Sequence, residues 1–198
     1  MTTLEEVARE ASGCTRCRLS EGRTQVVFGD GSPSAGLMFI GEGPGFHEDK
    51  QGIPFVGAAG QLLNRLLEEV GLARGDVYIA NIVNCRPPGN RDPLPDEIEE
   101  CTPWLLQQVE LIEPRVIVTL GNFATKFILD TRAGISRVRG EQHTWRGRIV
   151  LPTFHPAAVL HGGGDASPQM AALREDFATA VSLLADAPQA PEEQLELF

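Results

Sequence analysis

The sequence predicts an α/β domain, a three-layer α/β/α sandwich around a central, mostly parallel four-stranded sheet. Three observations carry that expectation. Four short apolar runs, Leu37 to Ile40, Val77 to Val83, Arg115 to Leu120 and Ile149 to Phe154, have the length and branched content of buried strands. Amphipathic helical patterns separate them. Each run gives way to glycine, asparagine or histidine, as in open α/β sheets whose strands deliver side chains to a site at their carboxyl ends. A length of 198 residues with 42% hydrophobic content suffices for one domain. It is expected over residues 1–184, with an acidic, Pro- and Ala-rich disordered tail over 185–198.

Taken in order, Thr2 or Thr3 caps a short helix that Gly13 stops, and Cys14-Thr15-Arg16-Cys17 follows. Val26 to Phe28 suggests a short strand. The first buried strand, Leu37 to Ile40, runs into Gly41 to Gly57, which gathers five glycines, His47 and four charged residues. Glycine and proline at that density make an irregular loop, and Glu42 stands at its start. Ala59, Leu62, Leu63, Leu66, Leu67 and Val70 then mark one face of a helix ending at Gly71. Asn81 interrupts the second buried strand. An amide there needs a partner, because a buried polar group without one costs about 1 to 3 kcal/mol.

Cys85 closes that strand and is followed by Arg86-Pro87-Pro88-Gly89-Asn90-Arg91, a stiff loop with an arginine at each end. Pro95, Asp96 and Glu97 begin a helix that Thr102-Pro103 is expected to cap and restart. Cys101 shares its inward face with Ile98 and Leu105. Arg115 to Leu120 is the third strand, and Phe123 to Leu129 a short helix. Alternation around Arg146-Gly147 predicts a hairpin over Val138 to Thr153 whose second arm joins the sheet and ends at His155-Pro156-Ala157. Ala171 to Leu184 supplies the last helix. Glu42, Asn81, Asn122 and His155 are thereby expected together at the carboxyl edge, a set suited to a small molecule or a base.

A formal net charge of -10 argues against non-specific nucleic-acid binding by the molecule as a whole. The distribution leaves room for a basic face, since residues 132–148 hold five arginines against Glu141. No run approaches the roughly 18 apolar residues of a membrane span, and the N-terminus lacks a signal-peptide centre, so a cytoplasmic protein is expected.

In that compartment four cysteines point to a metal or redox group before disulfides. There is one Cys-x-x-Cys and no second, as a paired zinc site would show. Spacing alone allows tetrahedral zinc or a [4Fe-4S] cluster equally.

Cys-x-x-Cys near the N-terminus, GEGPG with Glu48-Asp49 and Pro54-Phe55-Val56-Gly57, Asn81 before Cys85, Arg86 to Arg91, Cys101 and His155-Pro156-Ala157 together resemble the family 4 uracil-DNA glycosylases. These are the iron-sulfur members of the uracil-DNA glycosylase superfamily. The resemblance implies a [4Fe-4S] cluster on Cys14, Cys17, Cys85 and Cys101, with zinc the alternative. It implies an enzyme of base excision repair that flips deoxyuridine from DNA, hydrolyses the N-glycosidic bond and leaves an abasic site. Phe55 would stack on the flipped base, beside Gly43, and Asn81 would pair with uracil O4 and N3–H. His155 would donate to uracil O2, Glu42 would position water, and Glu48 would support it.

Laid over GEGPG, the family 1 motif puts its catalytic Asp on Gly43 and its thymine-excluding Tyr on Gly45, so two functional side chains are absent there. A related group that bonds covalently to uracil carries a Lys-Arg-Arg-Ile-His loop where this chain reads Ser136-Arg137-Val138-Arg139-Gly140; turnover by hydrolysis is therefore expected. Arg86, Asn90 and Arg91 would contact DNA, and Val159 or Leu160 would wedge the duplex. Gln194 to Phe198 resembles the peptide by which bacterial repair proteins dock on the replication sliding clamp. A monomer is expected.

The competing reading is a non-enzymatic, zinc-stapled module holding a nucleotide against Gly41, Gly43 and Gly45. Such a fingerprint should open directly into a helix, whereas Phe46 to Pro54 is expected to intervene.

Overall fold

The structure is a computed structural model describing residues 2–187. Its centre is a six-stranded sheet in the order β1-β3-β2-β4-β6-β5. In chain order the elements are α1 (Leu4–Ser12), α2 (Leu19–Gly22), β1 (Asp30–Gly31), β2 (Leu37–Gly41), α3 (Phe46–Gln51), α4 (Ala58–Glu69) and β3 (Tyr78–Asn81). There follow α5 (Pro95–Ile112), β4 (Val116–Leu120), α6 (Gly121–Leu129), α7 (Ile135–Val138), β5 (His143–Trp145), β6 (Arg148–Thr153), α8 (Pro156–His161) and α9 (Pro168–Asp186).

The four expected strands form the parallel centre, β3-β2-β4-β6. The sheet nevertheless has six strands where four were expected. The additions are antiparallel edges: β1 pairs with β3, and β5 is the first arm of the expected hairpin with β6. Val26 to Phe28 is not a strand; the pairing residues are Asp30 and Gly31.

Alternation along the strands separates two cores, which makes the three layers. Leu37, Phe39, Ile79, Val116 and Val118 face α4 and α9, while Met38, Ile40, Ala80, Ile117 and Val150 face α5 and α6. Each large side chain fully buried this way contributes roughly 1.5 to 3 kcal/mol. A satellite core of Val7, Ala11, Phe28 and Trp104 fixes α1 against α5. Thr3 caps α1 with a reciprocal box, accepting from the Glu6 N–H while the Glu6 carboxylate accepts from the Thr3 N–H.

Three further expectations are corrected. α5 is continuous through Pro103, because the carbonyl of Glu99 that loses its partner lies on an exposed side of the helix. α3 begins at once after Gly45 instead of leaving an irregular connection. α9 runs to Asp186, past the expected start of the tail at 185; the Gln194 to Phe198 peptide lies outside the described residues. Among the described residues no helix is long and apolar enough to cross a membrane.

Because β3 and β4 lie on opposite sides of β2, the connections diverge there. Their carboxyl ends open a crevice at the strand-order switch, where open α/β sheets place ligands.

Candidate active site and cysteine cavity

Glu42, Glu48, Phe55, Asn81 and His155 line one open cleft at that switch. Asn81 is the last residue of β3, in register with Gly41 of β2. It is 1% exposed, and its Oδ1 has no hydrogen-bond partner. A Cβ at Gly41 would lie 2.5 Å from that oxygen and 2.7 Å from the Phe55 ring. Glycine at the strand end is thus what lets amide and ring share the floor of the cleft.

Phe55 is held in an unusual backbone conformation, φ +52°, which a bulky side chain rarely adopts. Three neighbours hold it. The Glu48 carboxylate accepts from the N–H groups of Val56 (2.9 Å) and Gly57 (2.7 Å). Arg74 donates to the carbonyls of Pro54 (2.5 Å) and Phe55 (3.2 Å) while its Nε bonds Asp30. Gly60 on α4 admits the Phe55 carbonyl at a distance where any Cβ would collide. The ring then stacks on His155, centroids 5.6 Å apart and 29° between planes.

His155 follows β6 and caps α8, its Nδ1 accepting from the Ala157 N–H at 3.1 Å. That bond leaves the proton on Nε2. Burial pushes the imidazolium pKa down to about 4 against the opposing pull of Glu48, so the ring is neutral at physiological pH. Gly121, at φ +88°, starts α6 close beside His155, where an added Cβ would lie 3.0 Å from the His155 Cβ. Glu42 shows the opposite effect. Burial first, and then the negative charge of Asp92, raises its carboxyl to about 7.

Other expected residues are distributed differently. Asn122 is exposed and spends its Oδ1 on the Ile135 N–H, away from the cleft. Val159 is 1% exposed in the core and cannot wedge DNA, whereas Leu160 is 47% exposed. Arg91 forms a two-bond pair with fully buried Glu97, so its two terminal nitrogens are committed. Arg86 lies over the Phe46 ring and donates to Asn90. The basic stretch is dispersed as well: Arg139 turns inward to Asp176, and Arg148 approaches Glu110. Arg74, Gly60 and Gly121 were not anticipated. Only their partners in space give them a role, and the sequence carries no local signal for it.

Cys14, Cys17, Cys85 and Cys101 line a second cavity, between α1, α2 and α5. None is in a disulfide. N–H groups approach three of the sulfurs: Trp104 Nε1 at Cys14 (3.4 Å), Arg23 at Cys85 (3.5 Å) and the Asn84 backbone at Cys101 (3.3 Å). The Asn84 side chain also lines the cavity, buried, with both amide atoms unpartnered. Burial drives the Cys101 thiol up to about 12 and raises Cys17 and Cys85 too, so without a positive centre these sulfurs stay protonated. Among the described residues no three His, Cys, Asp or Glu side chains converge on a single-ion site. The four thiols line one cavity, and these soft donors, with the N–H groups and the orphaned amide beside them, suit a metal centre, zinc or an iron-sulfur cluster.

The family model of the uracil DNA glycosylase superfamily matches residues 28–178. A type-4 uracil-DNA glycosylase of Thermotoga maritima is 49% identical, the match covering 79% of this chain and 83% of the relative. One of Sulfurisphaera tokodaii is 47% identical over 81% and 77%. A third, of Saccharolobus solfataricus, is 43% identical over 95% and 89%.

Proposed function

This chain belongs to the uracil DNA glycosylase superfamily, and from that premise we propose that it is a uracil-DNA glycosylase acting in DNA repair. It takes deoxyuridine out of DNA, hydrolyses the N-glycosidic bond and leaves free uracil and an abasic site. The observation that carries this reading is the orphaned Oδ1 of Asn81 beside the Phe55 ring. A buried acceptor without a partner, next to an aromatic face, is what a flipped pyrimidine completes.

In this reading the uracil ring lies against Phe55, near Gly43. Asn81 accepts from N3–H and donates to O4. Cytosine presents the reverse pattern at these two atoms, so selectivity for uracil requires the amide to be held in one orientation. As the bond to the sugar lengthens, negative charge grows on the base, and the Nε2–H of neutral His155 donates to O2. A neutral donor already fixed by the bond its Nδ1 accepts from the Ala157 N–H favours the anion without reorganising, and losing one such donor costs about 10²- to 10³-fold in rate. Glu42, with its pKa near 7, orients the water and takes its proton as oxygen bonds to C1′. The released uracil anion is protonated by solvent. Glu48 acts from behind, holding the Phe55 loop.

We read Cys14, Cys17, Cys85 and Cys101 as ligands of a [4Fe-4S] cluster; zinc is the alternative. When bound, the cluster supplies a staple between the N-terminal segment, the Arg86 loop and α5. Arg86, Asn90 and Leu160 are the DNA contacts this reading keeps, with Arg91 bracing their loop through Glu97. The domain that ends with α9 acts as one catalytic unit, monomeric and cytoplasmic, and Gln194 to Phe198 is a docking peptide for the sliding clamp.

The deciding experiment incubates purified protein with labelled duplexes carrying one U·G, U·A or T·G pair. Alkali-labile sites at uracil and not at thymine are expected. No cleavage by protein with its cofactor intact would sink the assignment.

A further inference from the structure

We infer that Phe46 is a stacking platform for the nucleobase adjoining the flipped nucleotide; this rests on the uracil-excising reading of the cleft. The six-residue helix α3 inverts the usual pattern. It buries the Asp49 carboxylate, which is 3% exposed and accepts from the Thr24 N–H at 2.7 Å, and turns its phenyl ring outward, 49% exposed, onto the wall of the substrate cleft. Burying the ring and exposing the acid is the ordinary arrangement. An aromatic ring left in water at the edge of a binding cleft has a surface to offer.

The surroundings identify the occupant. The guanidinium of Arg86 lies over the ring with Cζ 5.1 Å from its centroid, and Lys50 Nζ is 5.9 Å away. Arg86 is tethered by the bond from its Nε to Asn90 Oδ1, at 2.7 Å. His47 meets the ring edge-on, at 5.5 Å and 85°. An exposed aromatic ring flanked by two cations attracts a planar ring attached to a polyanion, and a nucleobase beside its own phosphates is that chemistry. An apolar protein partner would gain nothing from the cations. Flipping a nucleotide also unstacks its neighbour, and Phe46, on the same cleft as Phe55 and Asn81, can take up the exposed face.

The test is a double-mutant cycle between protein and DNA. Full-length wild-type protein and Phe46→Ala, with cofactor intact, are titrated with single-stranded oligonucleotides containing 2′-fluoro-2′-deoxyuridine, which resists cleavage. The nucleotide on either side of it is a normal base or a tetrahydrofuran residue without one. Phe46→Ala should weaken binding on the order of ten-fold when the flanking base is present on one side, and less than about two-fold when it is absent. Phe46→Trp should restore the loss and Phe46→Leu should not, which separates stacking from apolar bulk. Equal weakening with and without the base, or none, on both sides would overturn the proposal. If wild-type protein failed to excise uracil but kept the base-dependent Phe46 effect, the catalytic reading would fall and the platform would stand. Intact excision without that effect would do the reverse.

Discussion

The guanidinium of Arg74 donates to the carbonyl of Phe55 at 3.2 Å, from a position fixed by its 2.8 Å bond to Asp30. Arg74 lies between α4 and β3 and does not line the cleft, yet it bonds both carbonyls of the segment that bends Phe55 into positive φ. Such a conformation costs roughly 1 to 3 kcal/mol and persists only when surrounding contacts over-determine it. Arg74→Met should let the ring drift, and a displacement of about 1 Å can cost on the order of 100-fold in rate. Single-turnover excision should slow about 10- to 100-fold, with a smaller change in affinity for uncleavable DNA. Arg74→Lys should recover little, since an ammonium cannot span two carbonyls and Asp30.

Asn81 makes the opposite trade. Its Oδ1 is buried without a partner, so an apolar residue of similar size should relieve the fold while removing the pairing edge. Asn81→Leu is expected to leave the melting temperature unchanged or higher and to lower excision at least about 100-fold. A loss of stability instead would mean that the amide serves the core.

These two residues mark how far the sequence could be read. The parallel strands were legible because both of their faces are buried, which leaves continuous apolar runs such as Val116 to Leu120. Asn81 stood out as the one amide in such a run. The edge strands, Asp30–Gly31 and His143–Trp145, are too short and polar to carry a period. α3 was missed because its buried residue is an aspartate, and Val159 and Leu160 could be told apart only once α8 had chosen its inward face. Arg74 has no local signature at all; its role comes from Pro54, Phe55, Asp30 and Asn64 meeting in space.

The cysteine cavity predicts a structural loss separable from catalysis. Cys101→Ala should abolish absorbance near 400 nm and free α1 from α5, since the satellite core of Val7, Ala11 and Trp104 packs beside the thiols. Hydrogen exchange should then rise over residues 4–22 and 84–91, while β2 and β4 stay protected. A zinc protein would show the same exchange pattern but no colour, so absorbance and metal analysis on wild-type protein decide between the two.

Glu42 makes the activity pH-dependent in a definite direction. Its carboxyl is raised to about 7, chiefly by burial and then by Asp92, and it acts as the carboxylate. Excision under kcat/KM conditions should therefore rise with pH through about 7 and level off above it. His155, held down to about 4, adds no second inflection between pH 5 and 7. Asp92→Asn removes the like charge and should move the inflection to lower pH, while burial, the larger cause, keeps it above the ordinary 4.5. The stability effect has the opposite sense to the activity. A carboxyl whose pKa is raised by folding favours the native state fully below 4.5, and that contribution is lost as pH climbs through about 7. Glu42→Gln, neutral at every pH, should accordingly melt higher than wild type at pH 8 and close to it at pH 4, while its residual excision no longer rises through pH 7. A wild-type profile already flat from pH 5 to 8, or a Glu42→Gln melting temperature below wild type at pH 8, would remove Glu42 from the role of base.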